Sequence, residues 1–492
     1  MRMNYNNNDY TQANLSRSPD QNPKQEWRCP VSLLLVLLCV AIAGTMLLTF
    51  NITSNWVREQ DFTIIEKQQQ VIDVLRDSLE NKDEDGTGTE VENAFGKLQV
   101  LAEILQRYSY YSNEFDQEQM LDEVMRAYTQ ATGDKYAAYY TEEEYAAVQD
   151  EDEGSGIGIG VNVVDAFVTV DGYKYLTFNI FKVFKHSSAA SSGVLVGDNI
   201  YAIEVDGEFK TVEELGGYTT ALDTVRGESG TIVKLRVFRE DGNGGYTTVE
   251  FVIPRGTYTT EPIGYRVSES DATVGIVRIE EFNLQTPAQF KQAILALQEQ
   301  GVEHFVFDVR KNPGGDLQSI KAVLSYLLNK GDLILTAIDN QGNYTSAVYA
   351  GAATYTGAYA PCSVLEEDVG MFSNLDMVIL CDGKTASAAE VFTASLRDHK
   401  NVPIIGETTF GKGILQRYYS LAMLTGGVYD GYVKMTTHAY ITECGVTYHG
   451  TGIAPTTGYE VALSEEAKEY NFYLLPENLD NQLQKAIEAV KN

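Results

Sequence analysis

The spacing of hydrophobic residues changes several times along this chain, and each change marks a different kind of unit. From Val31 to Phe50 the run VSLLLVLLCVAIAGTMLLTF holds twenty residues without a charge. That is enough helix to cross a hydrocarbon core of roughly 30 Å. Residues 51–92 are polar, with helical spacing at Ile64, Ile65, Val71, Ile72, Leu75 and Leu79, and they run into the acidic, Gly/Thr-rich linker NKDEDGTGTE at 81–90. Over 93–153 apolar residues again recur at helical intervals (Leu98, Leu101, Ile104, Leu105, then Met120, Leu121, Val124, Met125), and the tyrosine-rich YAAYYTEEEY closes the segment. In 154–256 the period falls toward two: GSGIGIGVNVV alternates small with apolar residues, and after it YLTFNIFKVF and TIVKLRVF read as strands around a Gly-Asp-x-Ile turn. Across 257–464 short apolar runs (VGIVRI, HFVFDV, DMVILC) alternate with amphipathic stretches (PAQFKQAILALQEQ, DLQSIKAVLSYLLNK, ASAAEVFTASLRDH). Such alternation predicts a largely parallel sheet covered by helices. Residues 465–492 form a closing helical segment. The expected class is mixed α/β: a helical N-terminal segment, a β-rich domain and an αβ domain behind one transmembrane helix.

Composition changes this picture in three ways. At 492 residues the chain exceeds one ordinary core, so two or three folded units are expected. Lys plus Arg number 37 against 69 Asp plus Glu, a formal net charge of −32, and a field of that sign repels phosphate backbones and excludes nucleic acid as a partner. The five cysteines show no CxxC or Cys/His spacing, so neither a metal site nor a disulfide scaffold is expected. Lys24 and Arg28 flank the apolar run on its N-terminal side, whereas Arg58 is soon followed by Glu59 and Asp61. The positive-inside rule then puts the tail 1–30 in the cytoplasm, 31–50 in the membrane and the rest outside. A cleaved signal peptide with Ala41-Ile42-Ala43 as its site is the rival, but its n-region would be long and the apolar run continues past it.

Two loops at predicted strand ends carry candidate chemistry. In DVRKNPGGD (308–316) Asn312-Pro313-Gly314-Gly315 forces a sharp turn with exposed backbone amides, and Asp316 can cap the next helix. In CDGKTASAAEVF (381–392) Ser387 starts a helix, where it can serve as an N-cap or as a nucleophile next to amides that favour negative charge. Lys412 lies among Phe410, Ile414 and Leu415, and desolvation there would favour its neutral form; a solvated surface lysine is the other reading. There is no GxSxG elbow, and His399 ends the helix that Ser387 begins, too far along to serve it.

Two resemblances follow from these motifs. Residues 154–256 resemble a PDZ domain, through the glycine loop Gly156-Ile157-Gly158-Ile159, GVLVGDNIYAI and VRGESGTIVKLRVF. This implies a groove where a peptide's end adds as a strand while amides hold its carboxylate. For the glycines themselves a plain turn is the alternative; a phosphate loop lacks its GxxxxGK[ST]. Over roughly residues 95–490 the chain resembles the carboxyl-terminal processing peptidases, serine proteases with an inserted PDZ domain. Thr385-Ala386-Ser387-Ala388-Ala389-Glu390 matches the nucleophile segment, Thr409-Phe410-Gly411-Lys412-Gly413-Ile414-Leu415-Gln416 the lysine element, and Asp308-Val309-Arg310-Lys311-Asn312-Pro313-Gly314-Gly315 the turn. Asp134-Lys135-Tyr136-Ala137-Ala138-Tyr139 stands where the family has D-P-Y-S-x-Y, with Lys135 replacing the proline.

The resemblance implies Ser387 as nucleophile, Lys412 as base and Gln416 as the residue orienting it. The oxyanion hole would combine the Ala388 amide with one from Gly314 or Gly315. It implies no cofactor and no metal, and protein substrates engaged by their C-termini; one anchor with an acidic, tyrosine-rich ectodomain suits a bacterial cell envelope, and an adaptor or self-association stays open. The PDZ-like unit interrupts the chain through two connections, which suits a hinged lid. A membrane-tethered scaffold that binds C-termini without cleaving them is the alternative function.

Overall fold

The computed structural model describes residues 90–491, so the predicted tail, anchor and most of the linker lie outside the described residues. A helix, Glu90–Tyr108, begins this part, and the compact unit from Ile104 onward carries everything that follows.

At the heart of that unit is a five-stranded sheet whose order follows the sequence: β1 (Ile263–Val267), β2 (Val274–Ile279), β3 (His304–Asp308), β4 (Asp376–Cys381) and β5 (Ile404–Gly406). β1 runs antiparallel to β2, and the remaining neighbours are parallel. The continuous apolar runs of β2–β4 are explained by burial on both faces. Alternate residues Val277, Ile279, Phe305, Phe307, Met377 and Ile379 pack into one core, against helices α1 (Thr286–Glu299), α2 (Leu317–Leu327) and α3 (Ala388–Lys400). Their neighbours Val274, Ile276, Val306, Val378 and Leu380 face the other way, onto Leu483, Ala486 and Ile487 of α4 (Asn481–Ala489). A one-residue slip in any strand would exchange the two sets. Asp316 caps α2 as its position predicts, accepting from Gln318 N and Ser319 N at 2.8 Å each.

A second five-stranded sheet is antiparallel, and the sequence had not suggested it. Ala138–Tyr140 and Ile414–Ser420 both pair with Tyr432–Ile441, which also pairs with Leu333–Ile338 and through it with Tyr344–Tyr349. The region expected to be purely helical, 93–153, therefore contributes a strand. Between these parts lies a six-stranded antiparallel sheet, Val161–Val170 through Tyr246–Pro254, with its own core of Phe178, Ile180, Ile200, Leu235 and Ile253. The expected glycine loop takes a different form: Ser155–Gly158 is a strand paired with Gly256–Thr259, so a two-stranded ribbon joins the two crossings into and out of the β-rich unit. Cys362, Cys381 and Cys444 are free thiols.

Candidate active site

Three loops leave the C-terminal ends of the neighbouring parallel strands β3, β4 and β5, where groups from distant parts of an α/β chain converge. The first two are riveted together. Thr385 Oγ1 donates to Val309 O (2.8 Å), Ala386 N donates to Asn312 O (2.9 Å), and Asp382 Oδ1 accepts from Lys311 N (3.0 Å). Asn312, fully buried, donates through Nδ2 to Ile279 O at 2.9 Å and accepts from Gly314 N at 2.8 Å. Gly314 has φ +110°, and a Cβ on it would lie 2.6 Å from Ser387 Cβ and 2.8 Å from Ala388 N. Only glycine lets the turn lie directly against the serine. Among the described residues, neither the Gly315 N–H nor the Ala388 N–H has an acceptor.

Ser387 occupies the N-cap position of α3 at φ +54°, ψ −119°. A residue with a Cβ adopts such a conformation at a cost of about 1–3 kcal/mol, and it persists where the surroundings enforce it. Here the enforcing group is Glu390, three residues on and wholly buried. Its Oε2 accepts from Ser387 N at 2.9 Å and from Lys412 N at 2.7 Å. Its Oε1 accepts from Gly411 N at 2.7 Å and from Thr409 Oγ1 at 2.5 Å. One carboxylate therefore draws together the helix-start serine and the third loop that carries the lysine.

Lys412 is half-buried, and its Nζ lies 4.8 Å from the centre of the Tyr136 ring. Burial pushes its pKa down, Lys434 and Lys135 push the same way, and Glu390 opposes them. The net direction favours a neutral amine below the pH at which an ordinary lysine loses its proton. Gln416 sits just beyond, on Ile414–Ser420 opposite Thr436, at a register shift between Leu415 and Gln416. Its Nε2 is buried with no acceptor among the described residues. Asp134 fastens the Tyr136 segment to the same place, accepting from Thr436 N at 2.7 Å and from Tyr136 N at 2.9 Å. His399 bonds to Leu333 O at 2.7 Å, a structural role, while His304 Nδ1 lies 3.6 Å from Asp376 and has no hydrogen bond among the described residues.

Gly156, Ile157, Gly158 and Ile159 lie apart from this cluster, on the wall of a cavity of about 810 Å³. Phe178, Tyr218, Val225 and Arg226 also line it, and it reaches Lys311 and Pro313 of the first loop. Sequence reasoning missed Glu390 as a brace and the cations Lys135 and Lys434 as neighbours of Lys412. Serine followed three residues later by glutamate was visible as capping-box spacing. Nothing in the sequence placed Lys434 there; strand pairing does.

Residues 273–458 match the sequence pattern of peptidase family S41. The chain is 27% identical over 372 residues to the carboxy-terminal processing protease CtpA of Bacillus subtilis, covering 75% of this chain and 70% of that one. It is 28% identical over 308 residues to the carboxy-terminal-processing protease of Bartonella bacilliformis, covering 60% of this chain and 62% of that one. A crystal structure from Bacteroides fragilis, described as an S41 protease, shares the fold at TM-score 0.52 and 16% identity, over 80% of this chain and 97% of that one. Over residues 273–458 this chain is similar to peptidase family S41, and this, together with the processing proteases it resembles, marks it as a serine-type peptidase.

Proposed function

We propose that the protein is a membrane-anchored, extracytoplasmic endopeptidase that takes hold of protein C-termini and cleaves through a Ser387–Lys412 acyl-enzyme. The observation that carries this reading is the convergence of Ser387 N and Lys412 N on one buried carboxylate oxygen of Glu390. In the mechanism, Ser387 Oγ attacks the scissile carbonyl carbon while its proton passes to neutral Lys412 Nζ. The oxyanion accepts hydrogen bonds from the Ala388 and Gly315 amides. Gly315 is preferred to Gly314 because the Gly314 N–H is already bonded to Asn312 Oδ1. Collapse expels the amine, which takes its proton from the Lys412 ammonium. Water then attacks the acyl carbon, Lys412 accepts the water's proton, and the serine hydroxyl is restored. Gln416, half-buried on Ile414–Ser420 with its Nε2 turned inward, orients the lysine.

Residues 154–256 are read as a PDZ-like domain. The peptide's last residues would line up in the cavity beside Gly156–Ile159, with Tyr218 and Val225 receiving apolar side chains and Arg226 drawing the carboxylate. Continuity of that cavity with Lys311 and Pro313 supports delivery of the chain toward Ser387. The uncharged run 31–50 supports the anchor; among the described residues no helix is long and apolar enough to cross a membrane. The proposed division is 1–30 tail, 31–50 anchor, 51–92 linker, 93–153 N-terminal segment of helices and one strand, 154–256 PDZ-like domain, 257–464 catalytic domain and 465–492 closing segment.

The test compares an unfolded protein substrate carrying a free C-terminus with the same substrate amidated there. The free form should be cleaved at least tenfold more efficiently, and Ser387→Ala and Lys412→Ala should each abolish cleavage of both. Equal cleavage of the two forms would refute C-terminal recognition, and an active Ser387→Ala protein would refute the mechanism.

A further inference from the structure

The segment before the Ala138–Tyr140 strand brings two lysines to one aromatic ring. Lys135 Nζ lies 4.9 Å from the centre of the Tyr136 ring, and Lys412 Nζ lies 4.8 Å from the same centre. Lys135 also lies 5.4 Å from the ring of Phe410, two residues before Lys412. The arrangement is held firmly: Asp134 bonds Tyr136 N and both Thr436 N and Thr436 Oγ1, and Thr436 is the strand partner of Gln416. The Tyr136 hydroxyl is buried without a hydrogen-bond partner among the described residues, so it is the ring that addresses the site.

We propose that Tyr136 is a positioning residue for Lys412, its ring face meeting the ammonium as that forms, and that Lys135 is a specific cationic neighbour that keeps the amine uncharged between turnovers. The proposal rests on Lys412 being the base. An aromatic face attracts an ammonium but not a neutral amine, so the ring favours the charged Lys412 that forms as Ser387 gives up its proton, which is the differential stabilisation that raises turnover. Lys135 acts in the opposite sense on the resting enzyme. Among the described residues the other charged groups acting on Lys412 are Lys434, from Tyr432–Ile441, and Glu390, from α3. Lys434 acts in the same sense as Lys135, and Glu390 opposes both. Lys135 is the exposed member of the set, so its exchange leaves the buried core in place.

The sign of the effect is fixed. Activity requires neutral Lys412, so kcat/KM falls on the acid side as that amine takes a proton. Removing the positive charge of Lys135 makes protonation easier and moves this acid limb to higher pH.

The experiment uses the full chain. In Lys135→Ala the acid limb of kcat/KM should rise by roughly half a pH unit, and in Lys135→Glu it should rise further. Tyr136→Phe, which keeps the ring, should retain kcat within about threefold. Tyr136→Leu should lose about tenfold in kcat or more, with KM nearly unchanged. An acid limb at the same pH in the wild type and both Lys135 variants would overturn the proposal, as would wild-type kcat in Tyr136→Leu or an equal loss in Tyr136→Phe. If Tyr136→Leu fails to fold, the Lys135 series decides alone. Lys412→Ala separates this from the underlying reading: an active Lys412→Ala enzyme removes the base itself, whereas an inactive one with a flat Lys135 series overturns the present proposal and leaves Lys412 as the base.

Discussion

Glu390 shows how one buried residue can set the geometry of two others that are distant in sequence. Its carboxylate has four hydrogen-bond donors within 2.5–2.9 Å, three of them backbone amides. In Glu390→Gln the side-chain NH2 would face donors, leaving two of them without an acceptor in the interior. Such losses cost about 1–3 kcal/mol each. The expected result is a lower urea midpoint, corresponding to about 3 kcal/mol, and a fall in kcat of about a hundredfold as Ser387 and Lys412 lose their common reference point. Urea titration and turnover of the same preparation check this. A variant with normal kcat would mean that the two residues are held by something else.

At the scale of elements, the C-terminal segment is clamped to the central sheet by two polar locks. Arg310, at the root of the first loop, bonds the carboxylates of Asp308 and Asp480, with all three side chains nearly inaccessible. Glu477 accepts from Ser268 Oγ at 2.5 Å and from Glu269 N and Ser270 N at 3.1 and 3.0 Å, and it pairs with Arg266 of β1. Burial alone would raise the Glu477 pKa, but Ser268, Arg266 and these amides bring it down to about 2. A depressed carboxyl contributes stability above its unfolded value of 4.5 and loses it as pH falls from there toward 2. Thermal melts over that window should therefore show the wild type losing stability more steeply than Glu477→Gln; parallel curves would contradict the lock. Elements also differ in how far the sequence discloses them. β2–β4 were legible because burial on both faces writes them as unbroken apolar runs. Ala138–Tyr140 was not, because its partner lies at Tyr432–Lys434 and its tyrosines sit at the edge of a helical pattern. Ser155–Gly158 read as a loop because glycines conceal a strand whose order comes from Gly256–Thr259.

At the scale of the whole molecule, residues far apart in the chain meet because neighbouring parallel strands end side by side. Asp308 stands beside Leu380 and Cys381 beside Gly406, so the three loops rise from one edge of the sheet. The motifs around Ser387 and Lys412 were legible from the sequence, whereas the brace between them and the placement of the Tyr136 ring under Lys412 depend on the folded arrangement. The β-rich unit reaches this edge through the shared cavity, and Phe181 on it stacks on Tyr473 of the C-terminal segment at 4.1 Å. The central claim is that Ser387 is a nucleophile activated by neutral Lys412. It is tested most directly by treating the full chain with a serine-reactive fluorophosphonate across a pH series and mapping the adduct by mass spectrometry. One adduct is expected, on Ser387, forming faster as pH rises through the depressed Lys412 titration and absent in Lys412→Ala. An adduct on another residue, or labelling of Ser387 at the wild-type rate in Lys412→Ala, would contradict that claim.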